Sequence, residues 1–276
     1  MYPAIFARTY PLTTAPAVLD AVARDGYAGV QFNLSCIGLD PVPQTLPEGA
    51  AETVATEAAA RDLRIAALSG TYNMAHPDAT VRLAFRPRFA NVVAAARAMG
   101  APMVTLCTGS RNPTDMWAAH PDNASDAAMR DFRAELDFAL QLASDAGIKL
   151  AIEPEPGNVI ADARIARRLL DQVGAAHLGI ILDAANLLSP ATLPRQHEIM
   201  AKAVDLLGDD LLLAHAKDIA TDGRVVAPGR GAVDLPAFVA LLRSAGFDGA
   251  LVAHGFDAAD TAPAARALQD LIAGAP

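Results

Sequence analysis

Residues 148–183 read IKLAIEPEPGNVIADARIARRLLDQVGAAHLGIILD. Residues 148–153 are a short apolar run that ends on an acid, Glu153. Residues 161–173 then carry apolar side chains at helical spacing, and Gly174 stops the run, because glycine accepts the left-handed conformation without steric cost. Residues 178–183 are a second apolar run, again ending on an acid, Asp183. Two near-continuous apolar strands joined by a helix describe a parallel pair with a helix laid over it. The unit repeats in both directions. Strands are expected at 2–8, 28–33, 65–69 and 102–107, with helices at 16–25, 47–61, 80–99 and 125–146. Beyond the quoted stretch the helix at 193–207 precedes a strand at 211–216, the helix at 235–245 precedes a strand at 249–254, and a helix at 260–273 follows, with Asp260 as its N-cap. Eight strand–helix units in 276 residues predict an α/β fold, a (β/α)8 TIM barrel built as a single domain over residues 1–276. A doubly wound open sheet competes with this reading, but its GxGxxG turn is missing after the first strand. The stretches 36–48, 109–124 and 222–234 read as long βα loops, which gather on the active face of a barrel.

Composition narrows the function. Hydrophobic residues are 53% and charged residues 19% of the chain, so the chain as a whole is not disordered. Its 62 alanines suit closely packed helices. The net charge of −9 argues against a nucleic-acid partner, which needs a basic footprint. No apolar run reaches the roughly 18 residues of a membrane span, and no basic-then-apolar leader opens the chain, so no membrane partner is expected. The two cysteines, Cys36 and Cys107, lack CxxC spacing. They imply neither a disulfide framework nor a cysteine-rich zinc site, and a cytoplasmic location is expected.

The polar residues fall at strand ends. Glu153 ends the fifth strand, Asp183 the sixth and His254 the eighth, and His215 lies near the end of the seventh. In a barrel these ends are adjacent on one face. Two carboxylates and two imidazoles make a four-ligand set for a divalent cation, with Mn²⁺ first and Co²⁺, Fe²⁺ or Zn²⁺ as the others. All-oxygen Mg²⁺ or Ca²⁺ sites fit less well. Lys217, one of only three lysines, follows His215 and is either a substrate contact or a solvated loop charge. Asn186 is either a ligand contact or a helix cap. Arg230, in the PGRG loop, is placed to meet an anionic or polyhydroxyl ligand. His120 and Trp117 share the loop after the fourth strand, where the indole either stacks on a sugar ring or anchors the loop. His177, at the opposite end, and His197, within a helix, read as structural and surface residues.

With these residues in place the sequence resembles the sugar phosphate isomerase/epimerase superfamily of xylose isomerase-like barrels, which includes the endonuclease IV fold. The segments that carry the likeness are 69–78, 151–159, 178–187, 211–219 and 228–256. Glu153, Asp183 and His215 match the family pattern; at the eighth strand the family generally has a glutamate, where this chain has His254. The resemblance implies two metal-bound glutamates on either face of the substrate, one removing a proton next to a carbonyl and the other returning it. Here Glu153 would be ligand and base, and His254 either a ligand or the second acid/base. The expected activity is a metal-dependent isomerase or epimerase of a small sugar, keto-sugar or polyol derivative. The alternatives are a β-eliminating lyase on an oxidised sugar or glycoside, and a sugar-binding barrel without catalysis. The resemblance also implies a homo-oligomer. The endonuclease branch is disfavoured by the acidic charge and by too few strand-end histidines.

Overall fold

Eight parallel strands close on themselves in the computed structural model of the protein, which describes residues 1–174 and 176–274. The strands are β1 (Tyr2–Phe6), β2 (Gly29–Phe32), β3 (Arg64–Ser69), β4 (Met103–Cys107), β5 (Lys149–Glu153), β6 (Leu178–Asp183), β7 (Leu211–His215) and β10 (Ala250–Ala253). Each pairs with its sequence neighbour, and β1 pairs with β10 to close the ring. Eight helices follow the strands: α1 (Ala15–Asp25), α2 (Ala50–Ala59), α3 (Ala79–Met99), α4 (Asp126–Ala146), α5 (Ala163–Val173), α6 (Gln196–Leu207), α7 (Leu235–Ser244) and α8 (Thr261–Ala273). This is the (β/α)8 barrel expected from the alternation. The single-domain span 1–276 includes residues 175, 275 and 276, which lie outside the described residues.

Two apolar clusters explain why the strands are apolar on both faces. The larger packs Ile5, Phe32, Leu150 and Ile152 against helix residues such as Phe89, Phe132 and Phe238. The smaller holds Ala4, Ala67, Ala151, Ile181, Leu213 and Val252 and fills the barrel interior. Side chains along a strand alternate between these two environments. Ala151 points inward, so Glu153 does too; Ile181 sets the same phase for Asp183, Leu213 for His215 and Val252 for His254. The period of the strand therefore delivers four polar side chains to one end of the interior.

Helix starts differ from expectation by up to three residues, and at α4 and α5 the reason is plain. Asp162 and Ser125 stand outside their helices as N-caps, accepting from the backbone N–H groups of Ile165 and Ala128. Asp260 does precede α8, but its side chain makes no capping bond; its carboxylate faces Arg230 at 3.5 Å instead. Beyond β7 the chain makes a small antiparallel hairpin, β8 (Asp218–Ile219) with β9 (Val225–Val226), where a plain loop was expected.

The hairpin is held by Asp218. This residue is 1% exposed, and its carboxylate accepts from the N–H groups of Ile219, Gly229, Gly231 and Val233 at 2.8–3.1 Å. A Cβ on Gly231 would sit 2.1 Å from Asp218 Oδ1, so only glycine lets the loop wrap so closely. Asp218→Ala leaves four N–H groups without their acceptor. The expected loss is about 3 kcal/mol of unfolding free energy, measured by urea denaturation, with a smaller loss in Asp218→Asn, which keeps one acceptor oxygen.

Candidate active site

Glu153, Asp183, His215 and His254 each place one ligand atom within 4.8 Å of the others. Glu153 and Asp183 end β5 and β6, His215 ends β7, and His254 lies one residue past β10. Asp183 and His215 are register partners across β6 and β7, and the two imidazoles meet edge to face at 4.4 Å between centroids. His215 Nε2 lies 2.8 Å from Gln31 Oε1. An amide oxygen only accepts, so Nε2 carries the proton, and Nδ1 then turns its lone pair toward Glu153 Oε1 at 3.1 Å. Only a proton or a metal ion between two such acceptors makes the contact attractive. Asp183 Oδ2 and His254 Nε2 stand 3.5 Å apart, both buried; His254 Nε2 has no hydrogen-bond partner among the described residues, and Asp183 Oδ2 is met by the ammonium of Lys217. A buried ring nitrogen left without a partner is costly, and the donor set of two carboxylates and two imidazoles fits a divalent transition ion.

Three of the four, Glu153, His215 and His254, line a cavity of about 560 Å³, and Asp183 is not among its lining residues. Phe6, Arg8, Gln31, Asn33, Cys107, Met116, Trp117, Glu155, Lys217 and Val225 are among its walls. Lys217 Nζ is 3.1 Å from Asp183 Oδ2 and donates to Asn186 Oδ1. Asn186 does not line the cavity; its Nδ2 donates to Glu153 Oε1 at 2.9 Å and Glu155 Oε2 at 2.8 Å, so it holds the two acids from behind. Arg230 and His120 are not among the cavity's lining residues either. Arg230 lines a neighbouring depression with Arg224, Asp257 and Asp260, because the backbone N–H groups of its glycine loop turn to Asp218 rather than to a ligand. His120 Nδ1 accepts from Asp122 N and caps a short turn over Pro121–Ala124. His177 bonds to the Ile148 carbonyl, and exposed His197 pairs with Asp234.

A sequence profile of the xylose isomerase-like TIM barrels matches residues 19–273. The chain belongs to the xylose isomerase-like TIM barrel family. Among solved structures it is similar to a D-tagatose 3-epimerase-like protein, at 14% identity and a TM-score of 0.79, covering 99% of this chain and 97% of that one. It is similar to the 3-keto-D-glucoside 4-epimerase YcjR from E. coli, at 20% identity and a TM-score of 0.75, covering 99% of both chains. The IOLI protein, solved with a zinc atom, is similar at 16% identity and a TM-score of 0.74, over 99% of this chain and 98% of that one. At these identities the likeness is one of fold. No curated protein matches the sequence.

In this xylose isomerase-like barrel, several wall residues had no role assigned from sequence. Gln31 lies in β2, and its bond to His215 crosses 184 positions. Cys107 ends β4 in register with Glu153, and its Sγ lies 3.8 Å from Glu153 Oε2; the strand-end argument applies to it as it does to Glu153. Arg8 and Val225 carry no such signal.

Charge around the cavity is finely balanced. Burial pushes the Glu153 carboxyl up, but the charge His215 carries when protonated on both nitrogens and the hydrogen bond it then donates, with Lys217 and His254, outweigh it and hold the group below its ordinary range. Burial of Asp183 is likewise outweighed, by Lys217 and then His254, and its carboxyl is held well down. Burial and the charge of His215 push His254 down. Glu155 goes the other way: burial raises its carboxyl to about 7, and Lys217 only partly opposes this. A carboxyl that binds its proton more tightly folded than unfolded stabilises the fold at low pH, and this contribution is lost as pH rises toward 7. In metal-free protein the Glu155 carboxyl resonance is expected to titrate near pH 7 by NMR. Between pH 5 and 7.5 the stability of the parent should fall more steeply than that of Glu155→Gln, read by urea denaturation; parallel curves would contradict the raised value.

Proposed function

We propose that this protein is a metal-dependent isomerase or epimerase that moves a proton next to a carbonyl in a small sugar, keto-sugar or polyol derivative. The observation that carries the reading is the division of labour within the Glu153 carboxylate. Oε1 faces His215 Nδ1 and accepts from Asn186, an arrangement suited to the metal side. Oε2 meets only the weak thiol donor of Cys107 at 3.8 Å among the described residues, which leaves it the freer oxygen to take a proton. Glu153, Asp183, His215 and His254 would hold the ion, with Mn²⁺ favoured and Co²⁺, Fe²⁺ or Zn²⁺ as the other candidates. When bound, the ion supplies positive charge to polarise the substrate carbonyl.

The remaining residues serve the proton transfer. Asn186 and His215 fix the plane of the Glu153 carboxylate, so that its free oxygen keeps one aim. Lys217 offsets the negative charge of Asp183 and stands at the cavity wall, where its ammonium can donate to a substrate oxygen. His254 is proposed as a ligand; its imidazole cannot carry a proton on the same nitrogen while bound. The names of the similar structures, a tagatose epimerase-like protein and a keto-glucoside epimerase, accord with this chemistry.

One observation favours a second reading. Glu155 lines the same cavity with its carboxyl raised to about 7, so a proton donor stands near the ionised Glu153 carboxylate. That pairing suits β-elimination from an oxidised sugar, where a leaving group must be protonated.

Elemental analysis of the purified protein, joined to deuterium wash-in from D₂O over ketoses such as D-allulose and D-fructose, tests both. The expected result is about one divalent ion per chain and exchange at carbon next to the carbonyl. Glu153→Gln, loaded with metal, should lose that exchange by about a thousand-fold. Normal turnover in that variant would remove Glu153 as the base. A product lighter than its substrate would mark the lyase, and neither metal nor exchange would mark a barrel that only binds sugar.

A further inference from the structure

Three large hydrophobic side chains are markedly exposed among the described residues, and two of them, Trp117 at 52% and Val225 at 39%, line the same cavity. Trp117 is the only tryptophan of the chain. Its indole has neither a hydrogen-bond nor an aromatic partner among the described residues, yet its backbone is tightly held. A Cβ on Gly157 would meet the Trp117 carbonyl oxygen at 2.0 Å, so glycine there lets two loops touch. Asp115 Oδ1 accepts from Trp117 N at 2.9 Å. On either side, Asn158 Nδ2 donates to the Met116 carbonyl at 2.9 Å and Ser110 Oγ to the Ala118 carbonyl at 2.7 Å. Asn158 is 2% exposed and also accepts from Gly109 N. Val225 stands on the hairpin that Asp218 secures. Both apolar surfaces are thus presented on rigid loops, the condition under which an aromatic contact adds to affinity instead of being spent on ordering.

The cavity is larger than one sugar needs. At about 30 Å³ for each water in the liquid, a hexose displaces roughly six waters, about a third of the 560 Å³ available. Trp117 and Val225 both line this space. We propose that the substrate is a glycoside with a carbonyl on its first sugar ring, that ring at the Glu153 centre and a second ring, sugar or aromatic, stacked on the Trp117 indole. This rests on the reading that the first ring binds at Glu153, and it adds the substrate class.

Phenyl and methyl β-D-glucopyranoside share the sugar ring and differ in the second. Each is titrated into Mn²⁺-loaded protein, with binding read by calorimetry and by the emission of the single tryptophan. The phenyl glycoside should bind about ten-fold more tightly and shift the emission to the blue. Trp117→Ala should bring the phenyl glycoside's affinity down to that of the methyl glycoside, and Trp117→Phe should keep most of the preference. Equal affinities, a preference that survives Trp117→Ala, or binding of neither glycoside would overturn the proposal. So would emission that follows protein concentration instead of glycoside, which would mean that a second copy covers the indole. Ketose exchange without the phenyl preference defeats the second-ring site alone, and the preference without exchange defeats the isomerase reading alone.

Discussion

Three carboxylates, Glu153, Glu155 and Asp183, converge at the end of an apolar barrel, and almost everything else at that end answers their charge. A buried carboxylate without partners is held in its neutral form or excluded from the fold. Here Lys217 lies against Asp183 Oδ2, the N–H of Ala185 donates to Asp183 Oδ1, and His215 faces Glu153. Asn186 divides its two amide hydrogens between Glu153 and Glu155 and receives Lys217 on its oxygen. Lys217 is accordingly pushed above its ordinary value, because the pull of the three acids exceeds the cost of its own burial. Glu155, with the weakest compensation, is the one left near half protonation at neutral pH.

The walls of the cavity follow a different logic, based on neutral amides and close backbone approach. Asn73 binds Ser110 through both its oxygen and its nitrogen, Asn123 spans from Arg111 N to the Gly157 carbonyl, and Asn158 spans from Gly109 N to Met116. Each side chain replaces the missing ladder partners of a loop that has no strand beside it. Charge joins only at the outer edge, where Arg111 and Arg82 both reach Asp131 on α4. Rigid loops and a charged floor are thus separable parts of the molecule.

How much of this the sequence disclosed depends on how local each cause is. Strand phase is local, and in a parallel ring the ends of successive strands are neighbours, so Glu153, Asp183, His215 and His254 were legible as a group. Gly174 as a helix stop was legible for the same reason, since a single positive φ decides it. The hairpin after β7 was not, because it depends on Asp218 collecting N–H groups up to 15 residues away. The same carboxylate draws the PGRG backbone away from the cavity, so a motif that looked like a ligand loop became a folding device. Gln31 and Gly157 were hidden by distance: their significance lies in His215 and Trp117, which other parts of the chain supply.

The histidine at the eighth strand end has an electrostatic consequence that follows from counting charge. A set with glutamate at this place, as the family resemblance implies, would carry three negative charges from Glu, Asp and Glu; this chain's set carries two. A divalent ion in it would be neutralised, not overcompensated, and would keep more of its pull on an electron-rich substrate oxygen. The same exchange leaves Glu153 and Asp183 as the two carboxylates of the set, and under the proposed reading Glu153 as its one base. His254 packs edge-on against Phe6 as well as His215, and burial disfavours its cationic form, so the neutral ring, which is the form that binds metal, is the one the fold selects. Under the proposed reading such a set would offer one ionised carboxylate base in place of two, a less neutralised metal ion and, in Glu155, a weak acid standing nearby.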